Sequence, residues 1–269
     1  MTTSSNSHPG PRIFGAVNWR GFWTLYVKEV RRFLNVATQT IVAPMITTLL
    51  FLAIFTLALG GRARAPGDVP YDIFLAPGLM MMAMVQNAFA NTSSSILISK
   101  VQGNIVDVLM PPLSPLEITM GYVLGGVTRG LLVGCSVALA MWAFVPLSLP
   151  HPLAALYFAF MASLMLSLIG MLGGIWADKF DHIAALTNFV IMPFAFLSGT
   201  FYSIERLPGV WNDIAQLNPF FYMIDGLRYG FIDRADGDPL LGALVLLAIN
   251  FALALACYRA VKTGWRLKA

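Results

Sequence analysis

The sequence predicts an all-α membrane protein with six transmembrane helices, an N-terminal amphipathic interfacial helix and a re-entrant extracytoplasmic helical hairpin between helices five and six. Three observations carry this. Of 269 residues, 58% are hydrophobic and 11% charged, with a mean hydropathy of +0.73, a balance foreign to soluble domains. The apolar residues gather in runs near the ~20 that a helix needs to cross a bilayer. Lys and Arg fall unevenly on the polar segments between those runs.

Residues 1–18 read as a disordered polar tail and 19–269 as one transmembrane domain. The tail has neither the apolar core nor the small-residue cleavage site of a signal peptide. Next, Trp19, Phe22, Trp23, Tyr26, Val27, Val30, Phe33 and Leu34 recur at helical spacing. Arg20, Thr24, Lys28, Arg31, Arg32 and Asn35 take the opposite face, with Glu29 among them in sequence. Aromatics below and bases above suit a helix lying on an anionic leaflet. It either only anchors the chain or also touches a cytoplasmic partner.

The first span is expected over Ala37–Leu59, with Pro44 near its start, and the second over Asp72–Ile98. The second carries Pro77-Gly78, a methionine cluster and a polar stripe of Gln86, Asn87, Asn91, Thr92, Ser94 and Ser95. Polar groups in lipid must face protein or water, so the stripe either ties helices together or lines a path. Between Lys100 and Glu117, Val101, Ile105 and Val108 put one apolar face on a short helix that Pro111-Pro112 ends. Such a helix suits docking on a soluble partner.

The third span, Ile118–Phe144, holds Gly121/Gly125, Gly126/Gly130 and Gly130/Gly134, each spaced for close helix approach. Arg129 sits near its middle, where a charge costs at least about 2.5–3.5 kcal/mol. It serves either as a structural lock or on a substrate path. The fourth span, Leu153–Trp176, repeats the glycine spacing at Gly170/Gly174. Helix five, Ile183–Phe201, is expected to break around Pro193, and helix six runs over Leu240–Tyr258. Between them, Phe194–Phe231 is apolar at both ends but interrupted by Ser198-Gly199, Glu205, Arg206, Pro208 and Asp213. That reads as short re-entrant or interfacial helices rather than a crossing.

With both termini on the cytoplasmic side, eleven Lys and Arg fall on inner segments and five on outer ones, with Arg129 uncounted inside helix three. This follows the positive-inside rule. His8, His151 and His182 show no ligand spacing, Cys135 and Cys257 lie in apolar runs, and no metal site or nucleic-acid partner is expected. None of the five lysines follows a glycine, so the chain has no phosphate-binding loop of its own. It shows no hydrolase motif either. An ion-coupled transporter, whose folds show internal repeats and midplane acids, and a non-transport scaffold are the competing readings.

In order, Phe196, Ser198, Gly199 and Tyr202, then Leu207-Pro208, Leu217-Asn218-Pro219 and Arg228-Tyr229, resemble the outer hairpin of ABC-2-type transporter permeases. The resemblance extends over the chain after residue 18. It implies a bacterial inner-membrane homodimer bound to two copies of an ATPase subunit, which holds ATP and magnesium, while this chain holds no cofactor. It implies that Val101, Gly103, Asn104, Ile105, Asp107, Val108 and Leu109 couple to that ATPase. Trp19, Phe22, Trp23, Tyr26, Lys28, Glu29 and Arg31 mark the interfacial helix, in contact with lipid and partner. Helices two and five line the path in that family, which points to Asn87, Asn91, Asn188 and Phe194, with Arg129 beside them. Ser198, Gly199, Pro208, Asn218, Pro219 and Arg228 mark the hairpin over the outer exit. The cargo implied is amphipathic, lipid-like, drug-like or glycan.

Overall fold

Helix starts follow proline and capping side chains. Asn18, assigned above to the tail, is the N-cap of α1 (Trp19–Leu34), its side chain accepting from Gly21 N at 3.0 Å. Ser114 and Glu117 form a reciprocal capping box at the start of α5 (Pro115–Trp142). Proline also opens α6 (Pro152–Trp176), α10 (Pro219–Ile232) and α11 (Pro239–Thr263), where its missing N–H costs nothing. The remaining helices are α2 (Ala43–Leu59), α3 (Tyr71–Val101), α4 (Ile105–Leu109), α7 (Phe180–Leu186), α8 (Met192–Phe196) and α9 (Val210–Leu217). The structure, a computed structural model, describes residues 17–59, 69–204 and 208–267. The tail through residue 16, the loop carrying Arg62 and Arg64, the segment of Glu205, Arg206 and Leu207, and Lys268 lie outside them.

Among the described residues, five helical stretches are long and apolar enough to cross a bilayer: Thr38–Ala58, α3, α5, α6 and α11. The expected helix five is shorter, a 17-residue apolar helix over Phe180–Phe196. At 1.5 Å per residue it measures about 25 Å, less than the ~30 Å hydrocarbon core. It ends at Phe196 rather than Phe201 because Gly199 takes a left-handed φ of +77° in the turn that follows.

It also does not break at Pro193. A π turn over Thr187–Ile191 comes first, and Met192 N donates to Thr187 O. The first span repeats the device: a π turn over Thr38–Val42, with Ala43 N on Thr38 O, directly precedes Pro44. A proline ring clashes with the carbonyl one turn back and lacks a donor. Widening that turn relieves the conflict without ending the helix.

The central helix is α3, the most buried of the spans, and α2 the least. Glycines bring α5 and α6 onto it. Ideal Cβ atoms on Gly130 and Gly134 would fall on Ala88 and Met84, and those on Gly170 and Gly174 within 2.6 and 2.9 Å of Phe89 O and Ser93 O. Gly121 and Gly125 belong to a different contact, since their Cβ positions meet Leu25 and Glu29 of α1. The glycine pairs of α5 thus serve α1 on one side, and α3 with Ser163 and Ser167 of α6 on another.

Gly170→Val places side-chain carbon on the α3 backbone, which cannot retreat as a flexible side chain would. The expected loss is about 1–3 kcal/mol, read as a lower denaturation midpoint in detergent than for a Leu153→Val control on the exposed flank of α6. Equal midpoints would contradict the packing.

Candidate functional site

The polar stripe of α3 largely satisfies itself. The hydroxyls of Thr92, Ser93, Ser94 and Ser99 donate to carbonyls one turn back, at 3.4, 2.8, 2.5 and 2.9 Å. Asn87 Nδ2 does the same to Ala83 O at 2.9 Å. Such bonds satisfy a polar side chain without a neighbouring helix. Gln86 reaches Met192 of α8; the others that reach elsewhere are Asn87, Asn91, Ser94 and Ser95.

They meet α1 and α5. Glu29 is fully buried, and its carboxylate accepts from Ser95 Oγ at 2.8 Å and pairs with Arg32 at 3.4 Å. Arg32 Nη2 donates to Asn91 O at 2.7 Å and Asn91 Oδ1 at 2.9 Å. One turn further along α3, Arg129 Nη2 donates to Asn87 Oδ1 at 2.9 Å. This corrects the reading of α1 in which Arg32 faced away from the apolar side. Leu25, Glu29 and Phe33, at i, i+4 and i+8, form the buried face, while Trp19 and Trp23 stand exposed. Lys28 and Arg31 remain on the exposed side, and Phe22 and Tyr26 are half-buried. The aromatic periodicity hid a charged stripe, although Glu29 and Arg32 sit at the i, i+3 spacing that lets side chains pair.

Asn87 also lines a groove of about 360 Å³ between the first span, α3 and α8. Its polar wall includes Gln39, Thr47, Thr48 and Gln86; Phe51, Met192 and Phe196 supply apolar surface. Both flanking helices are the ones with a π turn before proline. Asn188 and Phe194 do not line this groove, and both are exposed.

At the cytoplasmic end, as the charge bias marks it, α4 is a single five-residue helix. Ile105 and Val108, 8% and 7% exposed, pack inward with Leu25, Ile118 and Val261. The free apolar side chains are Val101, Val106 and Met110, at 56%, 50% and 79%. The outward face therefore differs from the one the spacing suggested, because the turn at Gly103 separates Val101, the last residue of α3, from Ile105 and Val108 on α4. Gly103, with φ +76°, Asn104 and Asp107 are exposed on the same ridge, and Leu109 is half-buried. Grooves of about 640 Å³ flank the ridge, one against α1 and one against Asp178 and Arg266. Lys100 Nζ ties the end of α3 to Ile175 O and Ala177 O at 2.6 and 2.7 Å.

At the other end, hairpin motif residues touch one another. Arg228, 1% exposed, donates through Nη2 to Gly199 O at 2.8 Å, lies 3.9 Å over the Phe74 ring and pairs with Asp225 at 3.8 Å. Burial pushes the Asp225 carboxyl up to about 6, against the opposing pull of the Asp236 and Gly237 N–H groups and Arg228. Asn218 caps α10, which Pro219 opens, and donates to Phe194 O at 2.6 Å. Ser198 turns its hydroxyl onto Ala195 O, and Pro208 is exposed ahead of α9. Val210, Trp211 and Leu217 of α9 are exposed while α10 is buried. The hairpin thus pairs an exposed helix with a buried one.

Comparison with known proteins finds a match over residues 20–232 to the family described as ABC-2 type transporter. The chain is 36% identical over 251 residues to the inner membrane transport permease YadH of Escherichia coli K12, covering 93% of this chain and 98% of that protein. It is 23% identical over 235 residues to nodulation protein J of Sinorhizobium fredii, covering 86% and 88%.

Glu29→Ala removes the carboxylate that pairs with Arg32 and accepts from Ser95. The loss should approach the roughly 3–5 kcal/mol of a broken buried pair, and Glu29→Ala with Arg32→Ala should cost less than the sum of the single changes. A double-mutant cycle on detergent denaturation checks this; additive effects would deny the coupling.

Proposed function

The chain belongs to the ABC-2 type transporter family, and on that premise we propose that it is the permease of an inner-membrane exporter, a homodimer powered by a separate ATPase subunit that binds ATP and magnesium. Helix five then makes the sixth crossing. Its start follows Ala177, which Lys100 holds at one end of α3, and Tyr71 OH at the other end of α3 donates to Phe201 O at 2.9 Å. The segment between runs alongside α3, where Gln86 reaches Met192. Six crossings and the positive-inside bias put both termini in the cytoplasm.

The observation that carries this reading is the reach of α3. One end leads through Gln102-Gly103-Asn104 into the α4 ridge, and its middle lines the polar groove. A long packed helix transmits displacement as a rigid body. ATPase closure against Val101, Val106 and Met110 would tilt α3 and open or close the groove against the first span and α8. The hairpin covers the outer end of that path, and the amphipathic groove suits a cargo with polar and apolar parts.

Tagged protein drawn from native membranes should bring a stoichiometric nucleotide-binding subunit whose hydrolysis depends on this chain. A homodimer without an ATPase would overturn the proposal. Val106→Asp with Met110→Asp should cut ATPase stimulation about tenfold, a coupling loss near 1.4 kcal/mol, with the denaturation midpoint kept. Ile105→Asp should instead lower that midpoint, because Ile105 packs inward.

A further inference from the structure

Arg129 lies midway along α5, and its charge is not matched. Nη2 has a neutral acceptor, Asn87 Oδ1 at 2.9 Å, and Nε has no hydrogen-bond acceptor among the described residues. Glu29, the carboxylate of the cluster, is already engaged by Arg32 and Ser95. Two guanidinium groups against one carboxylate leave one positive charge at membrane depth.

A second copy of the chain cannot supply the missing carboxylate. The sequence has no Asp or Glu over residues 30–67, 73–106, 118–177, 182–204 or 239–269. The interiors of the six helices are therefore free of acids in either protomer. Asp225 of the hairpin is already held by Arg228 and two backbone N–H groups. A charged group in the membrane that structure leaves unpaired marks a pathway or a ligand.

Asn87 connects this charge to the groove, because its side chain both lines the groove and holds Arg129. We infer that the groove takes an anionic amphiphile, whose phosphate, sulfate or carboxylate replaces the neutral Asn87 oxygen as the acceptor of Arg129 while its apolar part lies along Phe51, Met82 and Phe196. A charged acceptor makes the stronger hydrogen bond to a guanidinium, so the exchange favours an anion over a zwitterion of the same shape. Gln86 and Thr47 add neutral donors around the headgroup, which serves a polar group without selecting its charge. The selection falls to Arg129. This inference names the cargo class of the exporter proposed above and rests on that reading of the groove.

The test uses the full chain in phosphatidylcholine vesicles and a fluorescent hexadecyl phosphate, displaced by hexadecyl phosphate or by hexadecylphosphocholine. The phosphate should bind about tenfold more tightly than the phosphocholine. Arg129→Lys should keep most of that preference and Arg129→Gln should lose it. Asn87→Asp is the sharper variant, since it pairs Arg129 internally, favours the fold and should still abolish the preference. Equal affinities in the unmodified chain, or a preference that survives Asn87→Asp, would overturn the inference, as would inorganic phosphate competing as well as the amphiphile. Competition by phosphatidylglycerol supports it with a bilayer lipid as the source of the anion; competition by the single-chain phosphate alone supports it with a detached amphiphile. An anion preference in a protein that recruits no ATPase would refute export and leave the binding site standing.

Discussion

A helix that carries Gln86, Asn87, Asn91 and four consecutive hydroxyl residues cannot face lipid, because hydrocarbon offers polar groups no partner. The rest of the chain is arranged around this constraint on α3. Glycine faces on α5 and α6 close over it at backbone distance, and α1 brings a buried Glu29–Arg32 pair to its cytoplasmic half. Where this covering stops, along Gln86 and Asn87, the groove begins. The polar helix is wrapped by protein except along the groove.

The two proline–π turns belong to the same picture. Both occur in the helices that flank the groove, and both replace a clash at proline with a widened turn. Neighbouring helices packed glycine against backbone have no such slack. The groove thus lies between α3 and the two helices whose hydrogen-bond ladders are widened at a π turn.

Much of this was legible in the residues. Run length located five of the six expected spans, and their helix ends fell within a few residues of their prolines and caps. The hairpin motif was readable as a pattern, and its logic is now physical: Arg228 clamps the Gly199 carbonyl, and Asn218 joins α10 to helix five. What periodicity missed were contacts that depend on which neighbour is present. The bulky aromatic stripe of α1 masked Leu25, Glu29 and Phe33, because apolar spacing cannot report a buried ion pair. Ile105 and Val108 share spacing with Val101, yet the turn at Gly103 separates Val101 from the pair on α4, which packs with the core. Asn188 and Phe194 sit on the helix that borders the groove without lining it: Phe194 falls half a turn from Met192 and Phe196, and Asn188 a full turn before Met192.

In the proposed coupling, closure of the ATPase subunit on the α4 ridge moves α3 against the helices with π turns. Spin labels at Thr47 and Met192, read by pulsed dipolar spectroscopy in the complex with its ATPase, measure that groove directly. The account predicts that the separation shifts between the nucleotide-free and vanadate-trapped states. An unchanged distance distribution during active hydrolysis would contradict it.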